Sequence, residues 1–298
     1  MSTVPLPAVS RVGILAKDGL RAATPHLVDI GAWLEARGIE AIFETATSSL
    51  MPEAADRRVL DKRGLAAGVD MVLVLGGDGT LLSMADCIGE AGSAIPILGV
   101  NFGSLGFLTE ITLPELYRSL DAAITGRARV EKRLMLRSTT IRDGAIFARS
   151  IALNDAVITK TARSRMIDLS VYVGDEFVSR VKADGLIVAT PTGSTAYNLA
   201  AGGPIVQPEV DALVLTPIAP HTLTNRPVVI PATSVVRVQP NMAPRDEVFV
   251  TFDGQAGFQL HAGDEVSVQR AESALRLIKP TTRGYFEVLR TKLKWGER

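Results

Sequence analysis

The turn Gly76-Gly77-Asp78-Gly79-Thr80 places a carboxylate between glycines, after an apolar run and before a helical pattern. Glycines permit positive φ and carry no Cβ, so their amides can approach a phosphate closely. A helix N-terminus behind them adds positive partial charge. No Lys follows, which excludes the G-x-x-x-x-G-K-[ST] phosphate loop, and G-x-G-x-x-G is absent as well. Asp78 is the odd member. A carboxylate repels phosphate, so it points to a hydroxyl nucleophile or a magnesium ion. An Asp in such a turn also serves simply to cap the next helix. Local sequence leaves these readings open.

A second cluster runs from Asp184 through Thr192-Gly-Ser-Thr195-Ala196-Tyr197-Asn198-Leu199-Ala200 to Pro204. Hydroxyls and backbone amides at this density can bind phosphate or ribose without a charge. So long a run of small residues is uncommon in a surface loop without function. Asn154-Asp155 could read an adenine edge and a ribose, though taken alone the pair is better explained by an Asx turn. Pro217-Ile-Ala219-Pro220-His221 through Pro227 forms a rigid loop, with His221 better suited to a structural bond than to catalysis. Asp253-Gly254-Gln255 by itself reads as an ordinary hairpin turn. The three His are far apart, and neither C-x-x-C nor H-E-x-x-H occurs, so no fixed transition-metal site is indicated.

The elements that must position these residues fall into two textures. Val9–Ala16, Ile39–Glu44, Asp70–Leu75 and Ile95–Val100 read as strands, the last two as continuous apolar runs typical of a parallel sheet. Helices are predicted from Thr24-Pro25 (Thr24 as cap) to a stop at Gly38, over Ala54–Ala67, over Leu81–Ala91, and from the capping box Thr112-x-x-Glu115 to Ile124. This alternation predicts a doubly wound, Rossmann-like α/β domain over residues 1–130. From 131 to 278 the chain turns to short β-rich runs, among them Leu134–Ile141, Ala145–Ala156, Ile167–Val173, Phe177–Lys182, Leu186–Ala189, Val228–Ile230, Val235–Val238, Val248–Phe252 and Val266–Arg270. They predict a largely antiparallel, β-sandwich-like second domain. Phe286, Leu289 and Leu293 suggest a short terminal helix. No linker separates the domains, which predicts close packing around a cleft.

Length and composition exclude other classes. The 298 residues carry 32 basic and 32 acidic side chains, 47% apolar residues and 21% charged ones. Zero net charge argues against a nucleic-acid coat or polybasic membrane binder. Mean hydropathy of +0.22 argues against wholesale disorder. No apolar stretch is long enough to span a bilayer, and MSTVPLPAVSR, with no basic segment and no long apolar run, does not read as a secretion signal. A lone Cys87, read as a small core residue, excludes an internal disulfide and fits a reducing cytoplasm.

Taken in order, these five segments resemble the NAD kinase family, of the bacterial type. The GGDGT turn is shared with diacylglycerol kinases, sphingosine kinases and phosphofructokinases. DGLIVATPTGSTAYNLAAGGPI is far more specific, and PIAPHTLTNRP and DGQ reinforce it. The resemblance covers roughly residues 9–295. It implies transfer of the terminal phosphoryl of ATP, with Mg²⁺, to the 2′-hydroxyl of the adenosine ribose of NAD. It implies a homodimer or homotetramer, with NAD between the domains and residues 279–298 returning to the first domain. Asp78 matches the aspartate that contacts the reacting hydroxyl, and Gly79 packs beside it; Gly76, Gly77 and Thr80 complete the phosphate loop. Asn154 and Asp155 match the adenosine pair, with Asp155 standing where many relatives have Glu. Asp184 and Phe107 match residues near the nicotinamide. Thr192 and Thr195 through Ala200 match the binding loop; Ala219 and Gln255 match further contacts. Arg165 and Lys182 fall at variable polar or basic positions of the dinucleotide site, and a basic Lys182 favours NAD over NADH. Another kinase with the same turn could act on a lipid or sugar; a lipid kinase would call for a large apolar acceptor pocket, against which the polar, hydroxyl-rich loop speaks. A non-catalytic dinucleotide sensor would gain little from Asp78.

Overall fold

A computed structural model describes residues 8–52, 57–161, 166–222, 224–242, 246–280 and 283–295. The chain divides into two compact units, Met1–Lys132 with Leu275–Arg298, and Arg133–Ala274.

The first unit is built on one sheet. In spatial order its strands are Val59–Leu60, Glu40–Glu44, Arg11–Ala16, Met71–Gly76, Pro96–Asn101, Leu275–Lys279 and Arg129–Arg133, with Ile111–Thr112 also paired to Pro96–Asn101. From Val59–Leu60 to Leu275–Lys279 successive neighbours run parallel. Met71–Gly76 and Pro96–Asn101 are buried at every position, which is why they read as unbroken apolar runs. Helices Thr24–Glu35 and Leu116–Ile124 place Leu27, Ile30, Leu34, Leu116 and Leu120 against this sheet. The chain moves outward from Arg11–Ala16 to Val59–Leu60, then crosses back to Met71–Gly76 on the other side. The order therefore reverses between Arg11–Ala16 and Met71–Gly76, and ligands in such sheets bind at the carboxyl ends of the strands flanking that point.

The second unit is a two-sheet antiparallel sandwich. One sheet orders Val228–Pro231, Ala212–Ile218, Gly185–Ala189, Asp155–Lys160, Val248–Phe252 and Ala256–Leu260. The other orders Glu176–Ala183, Ile167–Val173, Val236–Pro240, Glu265–Arg270, Leu136–Arg142 and Ala145–Ala152. Alternate residues such as Leu169, Val171, Val238, Val266 and Val268 meet Ile158, Leu186, Val188, Val250 and Phe252 in a shared core. Gly185–Ala189 is buried on both faces, because Val206 and Val214 cover Ile187 and Ala189 on the side away from that core.

Several boundaries differ from the sequence reading. Thr24 lies inside its helix; the cap is Ala23, and Thr24 Oγ1 donates instead to the Leu50 carbonyl at 2.8 Å. The helix expected over 54–67 is Lys62–Gly68, capped by Asp61, which accepts from the Gly64 amide. Its expected start falls partly outside the described residues. The run 145–156 is two strands in different sheets, with Leu153–Asn154 as the corner between them. Leu275–Lys279 belongs to the first unit, because it pairs in parallel with Pro96–Asn101; the return begins before residue 279. Cys87 is half-buried rather than a full core residue. No helix among the described residues is long and apolar enough to cross a membrane.

Candidate active site

The glycine turn sits at the end of Met71–Gly76, where the strand order reverses, and its helix begins at Asp78 rather than Leu81. None of Gly76, Gly77 and Gly79 adopts a positive φ, so the glycines serve through their missing Cβ. A Cβ on Gly76 would lie 2.8 Å from Thr80 Oγ1 and 3.2 Å from Lys17 Cβ. Gly77 and Gly79 face open space. A cavity of about 490 Å³ opens there, lined by Lys17 and Asp18 from the first strand's end and by Lys62, Gly77, Gly79, Thr80 and Ser83.

Asp78 does more than occupy the first helical turn. Its Oδ1 accepts from the amides of Leu108 (3.1 Å) and Thr109 (3.0 Å) and from Thr109 Oγ1 (2.9 Å). Among the described residues its Oδ2 accepts from the Phe107 amide (2.9 Å). Gly106 permits this seat, since a Cβ there would stand 2.1 Å from Asp78 Oδ1. Asn101, buried at the end of its strand, donates to Thr109 Oγ1 at 3.1 Å and to the Ser104 carbonyl at 2.7 Å, tying the loop to the sheet. Phe107 is half-buried, with the Lys292 ammonium 5.7 Å from its ring centre. Asn101, Gly106 and Thr109 are functional candidates the sequence reading passed over; their signal lay in the segment 101–109, of which only Phe107 was singled out.

The second unit carries a constellation of its own around the corner Leu153–Asn154. The Asn154 carbonyl accepts from the Thr190 amide (2.8 Å), and Thr190 Oγ1 donates to the Leu153 carbonyl (2.6 Å). Thr190 Oγ1 also accepts from the Gly193 amide (3.0 Å). Gly193 packs directly on this corner: a Cβ would come within 2.1 Å of the Asn154 oxygen. Thus the Thr192–Ala200 turn and the Asn154-Asp155 pair form one constellation. Thr192 is buried, Thr195, Ala196 and Leu199 are half-buried, and Tyr197 and Ala200 are exposed. Asn198 differs from its sibling positions. It is fully buried, donates to the carbonyls of Ser194 and Pro204, and accepts from Thr216 Oγ1. Its amide group is committed to the loop itself.

Asp155 is buried, and burial together with the neighbouring Asp253 carboxylate pushes its pKa up to about 7. Asp253 is also raised by burial, against three amide hydrogen bonds that lower it. Asp184 pairs with Lys160 at 3.4 Å. Ala219 holds a left-handed backbone (φ 44°) one residue beyond strand Ala212–Ile218, and the His221 amide donates to the Lys182 carbonyl. Lys182 and Gln255 are exposed, and Arg165 lies outside the described residues.

A carboxylate seated among amides at a switch point, with room for phosphates beside it, is the arrangement of a nucleotide-dependent phosphotransferase acting on a hydroxyl. Residues 12–128 match the model of the ATP-NAD kinase N-terminal domain and residues 153–280 that of the ATP-NAD kinase C-terminal domain. The chain belongs to the NAD kinase family. It is 46% identical to the NAD kinase of Geobacter sp. (strain M21) over 290 residues, 97% of this chain and 100% of the relative. With the NAD kinase of Geobacter sulfurreducens identity is 49% over 268 residues, 90% and 92% of the two chains. Among solved structures, yeast NADH kinase complexed with NADH matches at a TM-score of 0.88 and 25% identity, covering 98% of this chain and 89% of that one. An NAD kinase from Archaeoglobus fulgidus in complex with ATP matches at 0.73 and 25% identity, covering 94% and 99%.

Proposed function

We propose that this chain transfers the terminal phosphoryl of ATP to the 2′-hydroxyl of the adenosine ribose of NAD, giving NADP and ADP. The observation that carries the mechanism is the unequal loading of Asp78. A carboxylate oxygen has two lone pairs. Among the described residues three donors already fill Oδ1, whereas Oδ2 holds one, which leaves it an acceptor site. Oδ2 is therefore the atom that orients the ribose hydroxyl and takes its proton as the oxygen–phosphorus bond forms and the bond to the ADP oxygen breaks. Positioning supplies most of the catalysis in such a loose transition state.

The cavity beside Gly77 and Gly79 suits the ATP phosphates, with Lys17 and Lys62 as its cations. Magnesium generally keeps its waters and needs only one or two carboxylates beside substrate phosphates. Asp78, in the turn beside that cavity, is the carboxylate that would reach such an ion, with the ATP phosphates supplying further ligands. Bound with ATP, the ion would neutralise charge on the transferring group. Asn154 and Asp155 take the adenosine part of NAD. Thr192 and the turn 195–200 line the dinucleotide, with the buried Asn198 bracing the turn rather than touching the ligand; Asp184 and Phe107 serve its nicotinamide half, with Lys182, Arg165, Ala219 and Gln255 as further contacts. The NADH and ATP named with the two structural relatives support these substrate classes. Exposed Ile146, Phe147, Phe177 and Val178 on the edge strands of one sheet favour a homo-oligomer. A free Cys87 favours a cytoplasmic setting.

The test is a coupled assay of ATP, Mg²⁺ and NAD with an NADP-specific dehydrogenase. Signal should require all three components, and Asp78→Asn should lower kcat by about 10²–10⁴-fold. No signal from folded wild-type protein would overturn the activity. An unchanged kcat in the variant would overturn the role of Asp78.

A further inference from the structure

Asp253 ends strand Val248–Phe252 in a left-handed conformation (φ 51°), followed by Gly254 at φ 65°. As a plain hairpin turn it would need no particular side chain. Its carboxylate is nevertheless spent on three successive amides of a distant segment. Oδ2 accepts from Leu153 (2.8 Å), and Oδ1 accepts from Asn154 (2.7 Å) and Asp155 (3.1 Å). The Asp253 amide in turn donates to the Asp155 carbonyl at 3.0 Å. These amides belong to the corner where the chain leaves one sheet for the other, so the regular ladder is interrupted there. Thr190 holds the carbonyls of Leu153 and Asn154 from the other side. The backbone of Asn154 is thus fixed at both ends of its peptide units, while its side chain takes no part in that clamp.

The clamp carries a cost that a purely architectural bond would avoid. It seats a second acidic side chain beside the buried Asp155. An apolar or amide residue in the turn would spare that repulsion. Three converging amides are also a strong anion seat, so what the site gains is a rigid corner.

We propose that Asp253 is a positioning residue for the dinucleotide: by gathering the amides of residues 153–155 it aims Asn154 and Asp155 at the adenosine. This rests on the reading of that pair as the adenosine contact. Asp253 itself touches no substrate and acts through Asn154.

The experiment compares Asp253→Gly, Asp253→Asn, Asn154→Ala and the double variant Asp253→Gly/Asn154→Ala in steady-state kinetics with NAD and ATP varied separately. Gly and Asn both tolerate a positive φ, so the turn survives in each. Gly removes all three acceptor bonds. Asn keeps one acceptor and turns its NH₂ toward one of the amides. KM for NAD should rise about tenfold in Asp253→Gly and less in Asp253→Asn, about 1.4 kcal/mol for the tenfold change. KM for ATP should stay as in wild type. The double variant should be no worse than the worse single variant, because both act on one contact. A KM for NAD unchanged in both Asp253 variants but raised in Asn154→Ala would overturn the positioning role and leave the adenosine reading standing. Unchanged KM in all of them would overturn the adenosine reading. Effects that multiply in the double variant, or a fall in kcat and melting temperature alone, would make Asp253 a residue of the fold rather than of the site.

Discussion

Asp78 and Asp155 are both acidic, and their surroundings set them apart. Among the described residues Asp78 meets donors, three amides and a hydroxyl, and it stays half-exposed. Asp155 is 4% exposed and faces a second carboxylate, which holds its proton on up to about pH 7. In the unfolded chain the same group ionises near 3.8. Between those values the folded state binds the extra proton, so its stabilising contribution is present in acid and is lost as pH rises. The shift from 3.8 to about 7 corresponds to roughly 4 kcal/mol. Asp155→Asn keeps the shape and removes the titration. We expect urea unfolding to show the variant gaining on wild type from pH 4 to pH 7, with the difference levelling above that. A difference that stays constant over the interval would contradict the buried, carboxylate-facing state of Asp155.

At the scale of elements, each unit's candidate constellation depends on one tight approach. Gly106 lets the segment 107–109 wrap Asp78, and Gly193 lets the Thr192–Ala200 turn rest on the Asn154 backbone. The second is the more rigid, since the obstructing atoms are backbone. Gly193→Ala puts a Cβ where the Asn154 carbonyl stands, and neither side can rotate away. We expect that variant to lose several kcal/mol of stability, consistent with severe overpacking and lost hydrogen bonds. Thermal unfolding and the yield of soluble protein measure it; a melting temperature within a few degrees of wild type would show that the turn can shift. The sequence made Gly193 visible as a member of a motif and passed Gly106 over. It did not show which atoms they approach, because contact partners 28 and 39 residues away in the chain leave no local trace. For the same reason Asp253 read as a hairpin residue: its own turn is ordinary, and its partners lie about 100 positions earlier. The strands fared better where they alternate or run fully apolar, as in Ile167–Val173 and Val248–Phe252. Ala212–Ile218 and Ala256–Leu260 lie beyond the predicted set, the first carrying Pro217 and the second Gly257, Gln259 and few strong strand formers.

At the scale of the whole molecule, the chain closes its first unit with its last strand. Leu275–Lys279 adds to the sheet beside Pro96–Asn101, and Lys279 reaches Glu110 in a buried ion pair, with side chains 4% and 2% exposed. Arg283 adds bonds to the Glu110 carbonyl and to the Glu115 carboxylate. Glu110 directly follows Thr109, so this pair also anchors the loop that holds Asp78. Lys279→Met leaves a buried carboxylate without its cation and should cost about 3–5 kcal/mol. Denaturant unfolding of the variant checks this; a loss under about 1 kcal/mol would show the pair to be dispensable.

What the sequence determined by itself was the class of the fold, the order of its elements and the chemistry of its motifs. Periodicity and turn residues act over a few positions, and glycines, hydroxyls and acids keep their chemistry wherever they fall. Only the tertiary structure decided how the donors divide between the two oxygens of Asp78, that Asp253 gathers the amides of residues 153–155, that Asn198 braces its own loop, and that the last strand joins the first sheet. Each of these is a matter of long-range geometry and burial. Those are set by how distant segments exclude water from one another, and no stretch of sequence carries them alone.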